Sequence, residues 1–316
     1  MKHLWLGFSV MVLAAALGVW FLVARSASGR IIELPVPKGW YAWASKDRIV
    51  VVSRGDSGPW AAEYDLYGRR ISARYSLGHG VDDATRLALS PDGAWLVWAA
   101  DGGDEGTESL HQALRLSSGR CERWRGPSDV AFAWMDDRRL VEVSGDARVT
   151  RVTIRAVNPP RVLSTWVIPG IGELYGHCQV VDARWLIGES LSRVRPVKVD
   201  LVNHHAPLLW YPPPLRVALD FGSPERKNRV AWLVPTSPFS ASYQLWLSRA
   251  DGAGMRHVTG GVDLLINTDM FQFVGKRGGP EIPFIRWRPG TDEVAYLGLR
   301  HLYLIRLRAG DLAPAR

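Results

Sequence analysis

Short apolar runs alternate along most of this chain with clusters of Gly, Pro, Asp and Ser, the pattern of many brief β-strands joined by tight turns. One phrase recurs in four degenerate copies: an apolar strand, an Asp/Gly turn and a second apolar strand. Its clearest copy runs from Leu87 to Trp98 around Ser90-Pro91-Asp92-Gly93. Related copies turn at Lys46-Asp47 before Ile49–Val52, at Asp136-Asp137 before Leu140–Val143, and at Pro289–Asp292 before Val294–Leu297. Trp43, Leu89 and Trp134 stand about 45 residues apart, the length of a four-stranded propeller blade.

The pattern predicts an all-β, six-bladed propeller, with a seventh blade left open. Blade one reads as Gly39–Ser45, Arg48–Ser53, Ala61–Leu66 and Ile71–Leu77; blade two runs from Thr85 to about Trp124, and blade three from about Val130 to Val167. Blade four spans about Tyr175–Tyr211 and blade five about Leu215–Thr259, with an Asp251-Gly252 hairpin. Blade six is Ile282–Arg288, Glu293–Leu299 and His301–Arg308. It lacks a fourth strand of its own, and Ile31–Val36 can supply one, closing the ring and hiding its edges. Gly260–Glu281 stays unassigned, either a long loop or the vestige of a seventh blade.

A chain of 316 residues is accommodated by one such ring, and 31 Gly and 20 Pro suit its turns. The 15 Trp fit the layers between blades better than a carbohydrate platform. Ahead of the ring, Leu4–Ala24 is an uncharged apolar run of about 21 residues, enough to span a bilayer. It follows Lys2, ends in Trp20-Phe21 and precedes Arg25, which reads as an uncleaved signal anchor placing the propeller outside the cytoplasm. A cleaved signal peptide ending near Ser26-Ala27-Ser28 is the alternative. The division is therefore 1–25 anchor, 26–38 linker with the ring-closing strand, 39–308 propeller and 309–316 tail.

The Leu89–Gly93 phrase and Leu245–Gly252 resemble the WD40-like repeat of TolB-type periplasmic propellers and of the propeller domains of prolyl oligopeptidases. The resemblance covers about Gly39 to Arg308 and implies a TolB-type propeller. TolB-like proteins commonly act as interaction platforms in the bacterial envelope, so the resemblance also implies a binding role. TolB's separate amino-terminal domain has no room between Ala24 and Gly39.

Catalytic signals are weak. Gly55-Asp56-Ser57-Gly58 is similar to a protease nucleophile loop, but only His3 precedes Ser57, and no Gly-x-Ser-x-Gly elbow is present. Asp101–Glu108 is acidic without the spacing of a calcium loop, and His177 and His204-His205 lack a local ligand set, so no metal or cofactor is implied. Cys121 and Cys178 are too few for a disulfide framework and read as separate core thiols, with a bridge left open.

The net charge of +8 is uneven: residues 1–150 carry 18 basic and 18 acidic side chains, residues 151–316 carry 21 and 13. Outside the cell such a half can meet anionic envelope polymers or lipid head groups, or simply solvate the outer strands; nucleic acid is excluded by location. Strand alternation puts the first and third turns of each blade on one end, here the turn face, and the remaining connections on the other, the loop face. The longer stretches Arg54–Trp60, Asp101–Glu108, Pro235–Ala241 and Gly260–Glu281 fall on the loop face, where binding is expected. The expected activity is non-catalytic capture of a protein or anionic envelope polymer through Trp60, Asp104, Glu105, Lys276 and Arg277. The alternative is a propeller enzyme of lyase or cyclase type with its site at the channel mouth.

Overall fold

A computed structural model describes residues 31–37, 39–78, 87–100, 108–145, 148–169, 174–190, 195–204, 208–209, 218–221, 229–235, 242–249, 254–258, 263–265, 285–297 and 302–312. The chain begins with β1 (Ile31–Leu34). Blade one follows as β2 (Trp40–Ser45), β3 (Arg48–Gly55), β4 (Gly58–Asp65) and β5 (Tyr75–Ser76). Blade two is β6 (Leu87–Leu89), β7 (Trp95–Ala100), β8 (Glu108–Arg115) and β9 (Cys121–Pro127); blade three is β10 (Val130–Trp134), β11 (Arg139–Gly145), β12 (Val149–Val157) and β13 (Pro160–Pro169). Blade four is β14 (Leu174–Val181), β15 (Trp185–Ser190), β16 (Arg195–Asp200) and β17 (Leu208–Leu209). Blade five holds β18 (Ala218–Phe221), β19 (Arg229–Pro235), β20 (Ser242–Arg249), β21 (Arg256–His257) and β22 (Asp263–Leu265). Blade six is β23 (Ile285–Trp287), β24 (Glu293–Leu297) and β25 (Leu302–Arg306), before a short α1 (Ala309–Leu312).

The described strands form six sheets, each an antiparallel meander, so the molecule is a six-bladed propeller. Blade six has the order β1-β25-β24-β23, its outer strand coming from the amino-terminal side. Ile31, Ile32, Glu33 and Leu34 pair with Ile305, Leu304, Tyr303 and Leu302. β21 and β22 lie one after the other along β20, so Asp263–Leu265 belongs to blade five and not to a seventh blade. Among the described residues no helix is long and apolar enough to cross a membrane, and the expected span Leu4–Ala24 lies outside them.

Strand periodicity explains the packing, because side chains of opposite parity leave opposite faces of a blade. In β7, Trp98 joins a buried layer with Trp40, Trp43 and Leu304, while Trp95 enters a second layer with Phe132, Trp134 and Leu140. Blade two is thus apolar on both faces, one against blade one and one against blade three. Cys178 sits in the next layer, with Val141 and Val152 of blade three and Val197 and Val199 of blade four. Both cysteines are free thiols, and burial pushes the Cys178 thiol up to about 12.

The Ser90–Gly93 turn shows how the repeat phrase builds a blade. Ser90 Oγ donates to Asp92 Oδ1 at 2.6 Å, Asp92 Oδ1 accepts from Ala94 N at 2.9 Å, and Gly93 takes φ 70°. A Cβ on Gly93 would stand 2.5 Å from the Ala44 carbonyl oxygen and 2.6 Å from Ala44 Cα, both backbone atoms of blade one. Gly93→Ala should therefore destabilise by about 1–3 kcal/mol through its positive φ, with the clash adding to that. A denaturation midpoint equal to that of the parent would remove this turn from the contacts holding blades one and two together.

Candidate functional site

Blade three is the blade whose outer wall is unusual. β13 runs for ten residues, Pro160–Pro169, and is the last strand of its sheet, so one edge of its backbone is unpaired by any described strand. Outer strands elsewhere are shorter or guarded: β5 and β17 have two residues each, and β9 carries Glu122, Arg123 and Arg125. Charges and brevity are the usual protection of a sheet edge. β13 has neither, with Arg161 as its single charged residue.

The side chains along this edge are apolar and exposed. Val162, Leu163 and Val167 are 53%, 43% and 52% exposed. A register shift against β12 explains the first two: Val162 lies opposite Arg155 and Ser164 opposite Ile154, so Leu163 is an extra, bulged residue. Trp166 points the other way, packs on the layer between blades three and four, and stacks on His204 at 4.1 Å between ring centroids. Val202, in the same turn of blade four, is 63% exposed.

Two polar networks hold this wall. Asp200 Oδ2 accepts from Arg184 Nη2 at 2.7 Å and Asn203 Nδ2 at 2.9 Å, while Oδ1 accepts from Val202 N and Asn203 N. The Arg184 hydrogen bond leads the contributions that hold the Asp200 carboxyl well below the usual carboxylate range, against the burial that opposes it. Two turns of blade four are strained by positive φ: Asp182 and Ala183, at 55° and 51°, between β14 and β15, and His204, at 55°, after β16. Beside them, Lys198 Nζ and Arg184 Cζ lie 4.1 and 4.7 Å from the Trp185 ring centroid.

The second network lies between blades two and three, behind β13. Glu142 of β11 is nearly fully buried; its Oε1 accepts from Trp124 Nε1 at 2.6 Å and Arg155 Nε at 2.9 Å, and its Oε2 from Arg155 Nη2 at 3.1 Å. His111, wholly buried on β8, places Nδ1 3.3 Å from Glu142 Oε1 and Nε2 2.9 Å from the Pro127 carbonyl. Both ring nitrogens thus face acceptor oxygens. Gly126 makes room for this ring, since a Cβ there would stand 2.3 Å from His111 Cε1. Arg155 is the residue opposite the bulge, so the buried charge and the exposed edge share one backbone position.

The sequence-predicted residues fare differently. Trp60 is within β4 rather than on a long connection, a correction with a simple cause: Gly55 pairs with Gly58, so only Asp56 and Ser57 form the turn and both strands extend further than expected. Trp60 is half-buried under Arg74, whose Cζ is 4.4 Å from the ring centroid. Asp104, Glu105, Lys276 and Arg277 lie outside the described residues. Of the five, Trp60 is the one among the described residues. Val162, Leu163 and Val167 were missed, although a ten-residue strand run with one charge carries the signal of an edge poor in charged guards. Among the described residues no group of three or more His, Cys, Asp or Glu side chains is placed to hold a metal ion.

The Glu142 network yields a pH prediction. Burial alone would raise the Glu142 carboxyl, but hydrogen bonds from His111 and Arg155, with their charges, hold it below its ordinary value of 4.5. A depressed folded-state value contributes stability that is complete above the ordinary value and is lost as pH falls through the folded one. Glu142→Gln should cost about 3–5 kcal/mol near neutral pH, because it strands Arg155 in a buried setting. The cost should shrink as pH falls below the ordinary value of 4.5 and toward the depressed one, where the parent's carboxylate is itself protonated. Parallel denaturant titrations from neutral to acid pH measure it, and a pH-independent difference would refute the assignment.

No protein-family model matches the chain, and no curated protein matches it in sequence. Solved structures do match in fold. A putative TolB from Agrobacterium tumefaciens aligns at TM-score 0.52 and 15% identity, over 74% of this chain and 88% of that one. TolB from Acinetobacter baumannii aligns at TM-score 0.50 and 11% identity, over 84% of this chain and 65% of that one. An oligogalacturonate lyase from Vibrio parahaemolyticus aligns at TM-score 0.52 and 8% identity, over 89% and 91%. Identities this low establish a shared architecture and no shared activity. In fold, the chain is a TolB-like six-bladed β-propeller.

Proposed function

We propose that this propeller is a non-catalytic binding platform, held outside the cytoplasm by Leu4–Ala24, and that it captures a protein partner by strand addition at β13. The observation that carries the reading is the open, ten-residue edge of β13 with its exposed Val162, Leu163 and Val167. An unpaired strand offers a row of backbone donors and acceptors that an extended segment of another protein can complete, and alternate side chains supply selectivity. The Glu142 network and the Trp166–His204 stack fix the blade behind this edge, so the partner meets a preformed surface. TolB neighbours agree in scaffold, and the lyase neighbour lends only its fold.

An anionic envelope polymer is the second reading, favoured by Lys198 and Arg184 beside the Trp185 ring. Arg184 is already engaged by Asp200, which leaves Lys198 as the main cation there and makes the β13 edge the stronger feature.

The test is a double variant, Leu163→Lys with Val167→Lys, which places charges on the edge. Pull-down from the native membranes should lose its protein partner, while the melting curve stays within the range of exposed changes, about 0.5 kcal/mol each. Unchanged capture would move the site away from β13, and loss of a bound polyanion in Lys198→Gln alone would favour the second reading. The anchor has its own check: full-length protein should stay with membranes through a carbonate wash, and Ala15→Arg should weaken insertion by about 2.5–3.5 kcal/mol. A soluble mature chain beginning near Ala27 would overturn the anchor.

A further inference from the structure

β1 fixes where the chain ahead of the propeller leaves it. As the outer strand of blade six, antiparallel to β25, it starts at the turn face, with Ile31 opposite Ile305 and next to Arg306. Residues 25–30 separate the proposed anchor from Ile31, and fully extended they reach about 25 Å at most. The turn face of blade six is therefore the part of the propeller that such a tether draws closest to a bilayer.

That same region is rich in arginine. The strand ends and turns of blades five and six bring Arg229, Arg249, Arg256, Arg288, Arg306 and Arg308 to the turn face. Carboxylates placed there include Asp292, beside Arg229, Glu293, which is shared by Arg288 and Arg306, and Asp311 in α1. Arg249, Arg306 and Arg308 are exposed, and Arg256 reaches the Gly310 carbonyl at 2.9 Å. The turn face of blades one to three differs: Asp65, Asp92, Asp136 and Asp137 stand among its basic residues, Asp65 and Asp136 each binding its own Arg.

We propose that the turn face of blades five and six docks on anionic lipid head groups, tilting the propeller so that blades two and three stand away from the membrane. The proposal rests on the anchor reading above and adds an orientation to it. Exposed arginines attract an anionic surface only within about a Debye length, roughly 8–10 Å, and a tether of at most about 25 Å lets this face, more than any other, reach that range. The tilt also lifts the β13 edge of blade three off the bilayer, where an incoming partner strand can reach it.

The experiment places a fluorophore on full-length protein in vesicles whose head groups carry an acceptor. Two variants with one accessible cysteine each are compared in a Cys121→Ser background that keeps the buried Cys178: Gly310→Cys, where a new Cβ meets open space, and Ser117→Cys, in an exposed turn of blade two. In vesicles with roughly one-third phosphatidylglycerol, the probe at 310 should be quenched about twofold or more beyond the probe at 117. The difference should fall in pure phosphatidylcholine, in about 1 M salt, and in the quadruple variant R249Q/R256Q/R306Q/R308Q. Equal quenching of the two probes in anionic vesicles, with the protein retained through a carbonate wash, overturns the docking and leaves the anchor standing. Release by carbonate overturns the anchor and the docking with it.

Discussion

Four backbone pairs between β1 and β25 decide whether this molecule is a ring at all. Without them blade six would be a three-stranded sheet with an open outer edge. Everything else is local: hairpins within a blade, and apolar layers between one blade and the next. The closing pair joins residues from the two ends of the described chain, so its loop-closure cost falls late and is repaid across the seam it completes. That seam has a side-chain clasp as well, since Arg288 of blade six donates to the Lys46 carbonyl and to Asp47 of blade one, and is itself held by Glu293.

The same logic explains why a charged network is tolerated between blades two and three. A carboxylate taken out of water is costly unless its oxygens are fully occupied, and Glu142 meets that condition with donors from three separate strands. Those donors come from β8, β9 and β12, so the network is complete only when the two blades meet in a single register. Apolar layers alone permit small slips between blades; this network does not. The rigid backing that results lies one strand from the open edge, which is where a preformed surface has value for binding.

Much of the architecture was legible because tight turns leave strong local marks. Ser90-Pro91-Asp92-Gly93 announces a hairpin from four residues, and the periodic return of such turns announces blades. Trp60 was misplaced because Gly55-Asp56-Ser57-Gly58 is consistent with either a loose loop or a two-residue turn, and only pairing across β3 and β4 selects the second. The partners of Glu142 were illegible for a deeper reason: His111 and Arg155 are remote in sequence, and no local pattern records which strands of neighbouring blades will face each other. The β13 edge shows the limit most clearly. Its strand character could be read, but exposure of an edge is a property of what fails to pair with it, and that is decided by the whole sheet.

The direction of β1 carries a mechanical consequence. A pull on the chain ahead of Ile31 is delivered along the strand axis and not across it, because β1 enters from the turn face and runs beside β25. Load in that direction shears the ladder, so the four residue pairs share the force and must yield together instead of unzipping one after another. The ring is thus strongest against tension applied along β1 through the chain ahead of it, and weakest against peeling from the far end at Leu34.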